Sequence, residues 1–243
     1  MLRIVQQRDS AALHQGAAVE MCEQIRKALA LRGSVNVAVP GGRSAAGVFE
    51  AMRAEDVDWS RTHFFIIDER LVPMDHPDSN FRLLMEHFVS PLVRDGRMPP
   101  GNAHPFLLDE SVPDRGARAY EAVLAEHGFR YDVILLSAGE DCHVGALFPS
   151  HHSFADPHHG FIVMDDSPKP PLGRMTSSLS MMMTAGAAVL VIAGQAKRGA
   201  LRSFLDAAVP ASRCPAKLVL GLKNAVVFTD IDEQGFPVGP ASG

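Results

Sequence analysis

The feature that most constrains the fold is a set of short apolar segments in which polar and apolar residues do not alternate. These segments cover residues 35–39, 63–67, 133–136, 188–192 and 225–229. Strands of this composition are typical of parallel sheets that helices cover on both faces. We therefore predict an α/β fold with a single doubly wound, mostly parallel sheet and helices on both faces.

Helical patterns lie between these segments. The first begins at Ser10, a good N-cap, and ends at Gly33, which can adopt the left-handed conformation that closes a helix. Its apolar residues recur at every fourth position. Further helices are predicted over residues 45–53, 80–89 with Ser79 or Asp78 as cap, 114–127 closed by Gly128, and 196–207. The stretch from Pro149 to Gly173, rich in Pro, Gly and His, is predicted to be a loop that flanks the site.

Length and charge limit the class of protein. With 243 residues, 47% of them hydrophobic, the chain can bury one large core, and we predict a single domain over residues 1–243. The net charge of −5 arises from interspersed acidic and basic residues. A basic patch is what neutralises a phosphate backbone, so no nucleic-acid partner is expected.

Cysteine usage and hydropathy favour a cytoplasmic protein. Cys22, Cys142 and Cys214 stand far apart and form no C-x-x-C pair, which fits neither a disulfide framework nor a zinc ribbon. The first twenty residues lack the apolar core of a signal peptide. The longest apolar stretch, Ala185–Gly194, has about half the length needed to cross a bilayer, so no membrane association is expected.

Glycines and polar residues collect where the predicted strands end. The four densest clusters are Gly41-Gly42-Arg43-Ser44, Asp68-Glu69-Arg70, Gly139-Glu140-Asp141-Cys142-His143 and Gly194-Gln195-Ala196-Lys197. In open α/β sheets, ligands bind in the crevice outside the carboxyl ends of the strands, where helix N-termini also point. We therefore expect the four clusters to form one site.

The Gly41-Gly42 pair has two interpretations. It is either only a tight turn or, together with Ser44 and the start of a helix, a cradle of backbone N–H groups for an anion. It is not a Walker A loop, because Val48 and Phe49 follow Gly47, and no G-x-G-x-x-G is present in the sequence. Neither ATP nor a dinucleotide is therefore expected, and we predict no cofactor.

Three charged residues of these clusters are candidates for ligand binding. Asp68 and Arg70 follow a very apolar strand; they are either a solvated turn or functional, because a charge at the edge of a core is costly unless it is paired or used. Arg70 can bind a phosphate or oxyanion through two hydrogen bonds, and Asp68 can orient a catalytic group or accept from a sugar hydroxyl. Lys197 is either a helix-surface lysine or a cation that reaches the same crevice.

Asp141 and His143 are candidates for acid–base catalysis, with a surface histidine as the alternative. Separated by one residue on a turn, they can share a cavity in which the imidazole takes a proton from water and the carboxylate holds the ring. The histidines at positions 151, 152, 158 and 159 lack the spacing and partners of a metal site, so no metal is expected. The sequence contains no Gly-x-Ser-x-Gly elbow, so a serine hydrolase is not expected.

Five motifs follow one another along almost the whole chain. They are Pro40–Ser44; Asp68–Arg70 with Val72-Pro73 and Asp75–Asn80; Gly139–His143 continuing to Leu147-Phe148-Pro149; Pro168–Pro171 leading to Arg174-Met175-Thr176; and Gly194–Lys197. In this order and spacing they resemble the 6-phosphogluconolactonases, which are related to the glucosamine-6-phosphate isomerases. The resemblance implies the Rossmann-like, doubly wound fold of those isomerases and a small-molecule phosphosugar lactone as substrate.

The resemblance also implies roles for single residues. The residues that would hold phosphate are Gly41, Gly42, Arg70, Arg174 and Lys197. His143 would be the base that activates water, and Asp141 would support its imidazole or the substrate. The oxyanion formed on C1 would be met by Arg70 or by backbone N–H groups of the 141–143 turn, which leaves the division of labour among the arginines open.

Three positions depart from the family pattern. Arg43 stands where a serine usually follows the glycine pair, with Ser44 next, and it can add a phosphate contact. Cys142 replaces the usual glycine before His143, and Ser137 stands where the family often has glycine. If residue 142 is left-handed, its side chain stores about 1–2 kcal/mol of backbone strain.

Two alternative functions stay open. The isomerase branch deaminates amino sugar phosphates, and it carries an Asn-Glu pair after the histidine, where this chain has Val144–Pro149 without a carboxylate. A phosphosugar-binding regulatory module without turnover is the other alternative, and Cys142 is the residue that favours it. The sequence gives no indication of oligomeric state.

Overall fold

The computed structural model describes residues 2–232. Its strands are β1 (Arg3–Gln6), β2 (Val35–Val39), β3 (Thr62–Ile66), β4 (Asp68–Arg70), β5 (Ala103–His104), β6 (Val133–Ser137), β7 (Phe161–Met164), β8 (Arg174–Ser177), β9 (Ala187–Ile192) and β10 (Asn224–Thr229). Its α-helices are α1 (Ser10–Leu31), α2 (Arg43–Met52), α3 (Asn80–Leu84), α4 (Ser90–Arg94), α5 (Ala117–Glu126), α6 (His152–Ala155), α7 (Leu179–Met182) and α8 (Arg198–Leu205). Within residues 2–232, no helix combines the length and apolar character that a membrane span requires.

Seven strands form the central sheet in the order β1-β10-β9-β6-β2-β3-β5, and each neighbouring pair is parallel. Helices surround this sheet, so the predicted doubly wound α/β fold is confirmed. The sequence patterns do not predict the second sheet, which has three antiparallel strands in the order β4-β8-β7. A single residue, Ile67, separates β4 from the end of β3.

The two faces of the central sheet bury different side chains. On β2, Val37 belongs to the apolar cluster that contains residues of α1 and α2, whereas Ala38 belongs to the cluster on the opposite face. On β3, Phe64 and Phe65 divide in the same way. Because both faces are covered, successive residues of a strand are apolar. Each large side chain buried in this way contributes about 1.5–3 kcal/mol relative to an exposed one.

Strands β2 and β6 are neighbours at the point where the strand order reverses. From β2 the sheet extends through β3 and β5 to one edge, and from β6 it extends through β9 and β10 towards the other. Connections that leave the carboxyl ends of two such strands run in opposite directions and open a crevice between them. The 41–44 and 139–143 clusters directly follow β2 and β6, so the topology brings both to this crevice.

The ends of α1 differ from the prediction. Asp9 rather than Ser10 is the N-cap, and its carboxylate accepts a hydrogen bond from the N–H of Ala12 at 2.8 Å. Aspartate caps a helix about as well as serine does, so the pattern leaves the cap ambiguous by one residue. Arg32 ends the helix in an extended conformation, and Gly33 is not left-handed.

Three other helix ends bear on the site or on the predictions. Helix α2 begins at Arg43, two residues before the predicted start, so Arg43 and Ser44 belong to its first turn. Ser79 caps α3, as predicted, by accepting from the N–H of Arg82 at 3.1 Å. Gly128 follows α5 at φ +90°, which confirms that a left-handed glycine closes that helix.

The structure corrects one prediction and rules out one of the two interpretations of another segment. The segment from Pro149 to Gly173 is not one long loop, because it contains α6 and β7. Asp68–Arg70 is not a turn, because it forms β4 and pairs with β8. These short strands satisfy one another's backbone N–H and C=O groups over a long sequence separation. Each of these strands is too short for a repeating pattern of apolar residues, so the sequence does not indicate that they pair.

Candidate active site

A pocket of about 590 Å³ opens at the carboxyl ends of β2 and β6. This volume is typical of sites for small ligands. Eight of the predicted site residues line it: Gly41, Gly42, Arg43, Ser44, Asp68, Arg70, His143 and Lys197. Two predicted residues do not line it, since Asp141 lies behind His143 and Arg174 pairs with Arg70 in the second sheet. All four predicted clusters therefore contribute to one pocket.

The start of α2 forms one wall of this pocket. Gly42, at φ +94°, precedes the helix, and no side chain caps the first turn. The first N–H groups of a helix have no partner inside it, and the helix dipole adds a partial positive charge at the same end. Arg43 and Ser44 contribute a guanidinium and a hydroxyl to the same wall. The arrangement is suited to bind an anion such as phosphate.

Gly41 is required by close packing. A Cβ atom at this position would lie 1.7 Å from Oδ1 of Asn80. Asn80 donates from Nδ2 to the backbone oxygen of Asp68 at 2.6 Å, and its Oδ1 accepts from Nη1 of Arg70 at 2.7 Å. Asn80 therefore ties the glycine loop to β4. Asn80 belongs to one of the five motifs, but no sequence pattern indicates this role.

His143 and Asp141 form a hydrogen-bonded pair at the edge of the pocket. Nδ1 of His143 lies 2.5 Å from Oδ1 of Asp141, and Nζ of Lys169 lies 3.1 Å from the same oxygen. Burial alone raises the pKa of Asp141, but the hydrogen bond and charge of His143, together with Lys169, outweigh it and hold this pKa well below its usual range. The ionised carboxylate only accepts hydrogen bonds, so Nδ1 carries the proton and Nε2 is the basic nitrogen.

The ring of His143 rests on a glycine. A Cβ atom at Gly139 would lie 2.0 Å from Cε1 and 2.2 Å from Nδ1 of His143. The phenyl ring of Phe148 packs on the imidazole with a centroid distance of 5.1 Å. These contacts restrict the imidazole to one orientation, which is a requirement for a positioned general base.

The turn that carries His143 uses its own backbone hydrogen bonds. Gly139 donates its N–H to the oxygen of His143 at 2.8 Å, and Cys142 donates to the oxygen of Gly139 at 3.1 Å. The N–H of His143 faces Oδ1 of Asp141 at 3.4 Å. Cys142 lies at φ +74°, in the left-handed region that glycine adopts without cost. Because the N–H groups of residues 142 and 143 are engaged in the turn, Arg70 is the better candidate to meet an oxyanion.

Two arginines surround Asp68. Arg70 and Arg174 occupy paired positions of β4 and β8. Burial raises the pKa of Asp68, and the positive charges of Arg70, Arg174 and His143 oppose this rise only in part. Nε of Arg70 and Nη1 of Arg174 are buried and have no hydrogen-bond partner within residues 2–232. A buried N–H group without an acceptor is costly, and Arg70, which lines the pocket, is therefore suited to hold an anion there.

Glu69 fixes the backbone between these charged residues. Its carboxylate is buried and accepts from the N–H groups of Arg70, Asn80 and Phe81, each at 2.8 Å, and from Oγ of Ser79 at 3.0 Å. Burial raises the pKa of Glu69, and the backbone hydrogen bonds oppose that rise. The carboxylate therefore joins β4 to the start of α3. Glu69 belongs to one of the four predicted clusters, but the sequence does not indicate that its carboxylate joins these two segments.

Lys197 reaches the pocket from the 3-10 turn that precedes α8. Its Nζ donates to Oγ of Ser137 at 3.4 Å. Burial lowers the pKa of Lys197, and the charges of Glu140 and Asp230 oppose this effect. Gly194, at φ +88°, donates its N–H to Oδ1 of Asp230 at 2.7 Å and so fixes the turn. A partly desolvated ammonium in this place attracts an anion more strongly than an exposed one does.

Other polar residues of the pocket carry no role in the sequence analysis. They are Ser10, His14, Asn80, Ser137, Glu140, Gln195 and Asp230. His14 packs against Gly47, where a Cβ atom would lie 2.2 Å from its Nδ1. His14 lies on α1, and the helical pattern of α1 does not indicate that one of its turns faces a ligand pocket. The packing of α1 against α2 is what brings His14 to the pocket.

Comparisons with known proteins identify the family of the chain. A family model described as glucosamine-6-phosphate isomerases/6-phosphogluconolactonase matches residues 8–228. A 6-phosphogluconolactonase of Borreliella burgdorferi is 30% identical over 196 residues, which cover 81% of this chain and 83% of that protein. The chloroplastic 6-phosphogluconolactonase 3 of Arabidopsis thaliana is 32% identical over 191 residues, which cover 72% of this chain and 57% of that protein.

Solved structures agree on the fold. The crystal structure of a 6-phosphogluconolactonase from Thermotoga maritima superposes with a TM-score of 0.80 at 26% sequence identity. The superposition covers 94% of this chain and 99% of that one. Most of this fold therefore has a counterpart in that structure.

Proposed function

This chain belongs to the family of glucosamine-6-phosphate isomerases and 6-phosphogluconolactonases, and we propose that within this family it hydrolyses 6-phosphogluconolactone to 6-phosphogluconate. The names of its relatives support the lactonase branch. The chain spans just over half the length of the Arabidopsis relative, 57%. The proposal therefore concerns the reaction of the matched region and rests on the chemistry of its pocket.

One observation carries the proposal. His143, with its Nδ1 held by Asp141, lines the same pocket as the uncapped start of α2 and the ammonium of Lys197. A base and an anion-binding wall in one pocket of about 590 Å³ suit a substrate with a hydrolysable group at one end and a phosphate at the other. A 6-phosphosugar lactone has this form.

His143 acts as the general base. Its Nε2 takes a proton from a water molecule while the water oxygen forms a bond to C1 of the lactone. Asp141 stabilises the imidazolium that results, because its low pKa keeps the carboxylate charged. Arg70 stabilises the negative charge on the carbonyl oxygen. When the tetrahedral intermediate collapses, the bond from C1 to the ring oxygen breaks, and the imidazolium returns its proton to that oxygen. A positioned base of this kind contributes roughly 10²–10⁴ in rate.

The phosphate end is held by the opposite wall. Lys197, Arg43 and the first N–H groups of α2 supply positive charge and hydrogen-bond donors to it. Interactions with a remote group fix the reacting carbon beside the base and so lower the activation free energy. Arg174, which does not line the pocket, acts through Arg70 and Asp68 rather than by direct contact with phosphate.

The two alternatives predict different chemistry. An isomerase or deaminase needs a further carboxylate after the histidine, whereas Val144, Ala146 and Leu147 are apolar and buried here. A regulatory module needs only the phosphate wall and would bind without turnover. The histidine–aspartate pair favours the lactonase over the module, because a binding site for a neutral lactone ring gains little from an oriented base.

The test uses freshly generated 6-phosphogluconolactone and measures proton release above the spontaneous rate. We expect rapid hydrolysis by the native chain and a loss of roughly 10²–10⁴ in kcat for His143→Ala. His87→Ala is the matched control, because His87 pairs with Glu50 on an exposed helix surface. Full activity of His143→Ala would remove His143 as the base. Release of ammonia from glucosamine 6-phosphate would overturn the lactonase proposal, and binding without turnover would favour the module.

A further inference from the structure

Three histidines meet on one face of the central sheet near its β5 edge. His63 lies on β3, His104 on β5, and His127 directly follows α5. Nδ1 of His63 is 3.2 Å from Nε2 of His104. One ring nitrogen from each of the three residues falls within 4.8 Å of the others. None of the three lines the pocket that contains His143.

Regular structure holds all three rings. On the parallel pair of β3 and β5, Phe65 stands opposite His104, and the Phe65 and His104 rings stack at 4.5 Å. His63 is two residues before Phe65 and therefore points to the same face of the sheet. The His127 ring lies 4.1 Å from that of His63 and 4.8 Å from that of His104. A site built on strands and a helix end is positioned more reproducibly than one on a loop.

Backbone contacts anchor two of the three residues. The carbonyl oxygen of His104 accepts from the hydroxyl of Tyr120 at 3.0 Å, and that of His127 accepts from Nδ2 of Asn36 at 2.7 Å. Tyr120 and Asn36 are both buried. The Cα positions of the cluster are therefore fixed, and only side-chain rotation is needed to adjust the distances between ring nitrogens.

The cluster has the composition of a transition-metal site. It offers one imidazole nitrogen from each of three residues, and all three nitrogens lie within 4.8 Å of one another. Imidazole suits Zn²⁺, Cu²⁺, Ni²⁺ and Fe²⁺, whereas Mg²⁺ and Ca²⁺ require oxygen ligands. Zn–N bonds of 2.0–2.1 Å in a tetrahedron place two nitrogens roughly 3.3 Å apart. The 3.2 Å separation of His63 and His104 is close to this value.

We propose that His63, His104 and His127 bind a divalent transition-metal ion, Zn²⁺ in the first instance, with water as the fourth ligand. The ion joins the two-residue edge strand β5 to β3 and to the end of α5. It lies outside the candidate active site and takes no part in hydrolysis. Its effect is on the stability of the sheet edge, because an ion that binds only the folded chain stabilises that state.

A second histidine cluster serves as the internal control. His151, His152 and Asp166 also place ligand atoms within 4.8 Å of one another, but His152 and Asp166 are exposed. Nε2 of His152 lies 3.0 Å from Oδ1 of Asp166, and both side chains are more than half exposed. This cluster lies on α6 and on the segment after β7, so variants there leave β3, β5 and α5 unchanged.

The experiment titrates Zn²⁺ into the full chain, prepared without a histidine tag and freed of metal by a chelator. We expect one equivalent of Zn²⁺ per chain and a melting temperature that rises with free Zn²⁺ concentration. Co²⁺ in place of Zn²⁺ should give the visible absorption of four-coordinate cobalt. Activity towards the lactone should be the same with and without the bound ion.

Single variants locate the site. We expect Zn²⁺ binding to weaken by more than about 10-fold in each of the variants His63→Gln, His104→Gln and His127→Gln. Loss of a residue that only hydrogen-bonds to a metal ligand already lowers metal affinity by about 10-fold, and loss of a ligand itself should cost more. The double variant His151→Gln/His152→Gln and the single variant His87→Gln should bind as the native chain does. If one of the three variants fails to fold, the other two and the Co²⁺ spectrum of the native chain still decide. Absence of stoichiometric binding, or binding lost only in the His151/His152 double variant, would overturn the proposal.

Discussion

Oδ1 of Asp141 and Nδ1 of His143 lie 2.5 Å apart across a turn whose central residue, Cys142, is in the left-handed conformation at φ +74°. The reversal at residue 142 is what allows two side chains so close in sequence to face each other. Lys169 contacts the same carboxylate from a distant segment at 3.1 Å. The pair is therefore a product of one unusual backbone angle and one long-range contact.

Replacement of Asp141 should impair catalysis more than binding. Asp141→Asn removes the charge that stabilises the His143 imidazolium, and an amide can hold the ring in the wrong tautomer. We expect kcat for 6-phosphogluconolactone to fall by about 10² or more, the lower range for loss of general-base catalysis, with little change in KM. Asp165→Asn, on an exposed carboxylate, is the control. An unchanged kcat would mean that Asp141 has no part in positioning the base.

Asp141 should also make stability depend on pH. Its folded-state pKa lies below that of the unfolded chain, which is about 3.9. The stabilisation is therefore complete above about pH 5 and declines as the pH falls through 3.9 towards the folded-state pKa. Urea unfolding of the native chain and of Asp141→Asn should show a difference in unfolding free energy at pH 6 that shrinks by pH 3. A difference that grows on acidification would mean that the pKa of Asp141 is higher in the folded chain than in the unfolded chain.

Cys142 should store backbone strain that glycine would relieve. Cys142→Ala keeps a Cβ atom at φ +74° but loses the buried sulfur, whereas Cys142→Gly also removes the Cβ atom. We expect the glycine variant to be more stable than the alanine variant by about 1–2 kcal/mol in urea unfolding. Cys22→Ala and Cys22→Gly provide the matched pair, because Cys22 lies within α1, where glycine costs about 1 kcal/mol relative to alanine. The same order of stability at both positions would contradict the strain.

Lys197 should contribute through the phosphate alone. A hydrogen bond to a charged group is worth about 1.5–3 kcal/mol, so Lys197→Gln should lower kcat/KM for 6-phosphogluconolactone by roughly 10-fold to 100-fold. The same variant should hydrolyse unphosphorylated gluconolactone at the native rate, however slow that is. Lys223→Gln, at an exposed position, is the control. Equal losses with both lactones would place Lys197 at the reacting end of the substrate instead.

Gly139 should be needed for the position of the ring of His143, the proposed base. A methyl group there would overlap the imidazole of His143, 2.0 Å from Cε1, and displace it. A displacement of about 1 Å from the reactive geometry costs roughly 100-fold in rate, so Gly139→Ala should lose about that much in kcat. Gly33→Ala has no atom within 4 Å of its new methyl group and should keep full activity. Normal kinetics of Gly139→Ala would mean that the ring can move without loss.

Much of the fold could be predicted because short stretches of the sequence indicate its strands and helices. Uninterrupted apolar runs such as residues 133–136 report burial on both faces, and the structure places Leu135 and Leu136 in opposite cores. Caps and closing glycines are local as well, and Ser79 and Gly128 behave as predicted. The second sheet is different, because β4 and β8 are about a hundred residues apart and each is four residues or shorter. Short strands have too few positions for a period to emerge.

The candidate site divides in the same way. Gly41, His143 and Lys197 belong to the segments that follow β2, β6 and β9, so the rule for parallel sheets places them in the crevice without any knowledge of side-chain contacts. The roles of Asn80 and Glu69 could not be predicted in this way, because they are hydrogen bonds to backbone atoms of other segments. The cluster of His63, His104 and His127 could not be predicted either, because no local spacing links three residues on β3, on β5 and at the end of α5.

The sequence by itself determined five strands of the central sheet and the helices between them, the doubly wound class of that sheet and the edge at which ligand-binding residues collect; strands β1 and β5 and the second sheet were not among the predicted segments. Each of these follows from the burial of neighbouring residues and from the direction of parallel strands. Only the tertiary structure decided that Asp141 lies behind His143, that Arg174 stays outside the pocket and that the 142 position is left-handed. Those features depend on distances between segments remote in the chain, and they are set by packing and hydrogen bonding that form only when the whole fold is assembled.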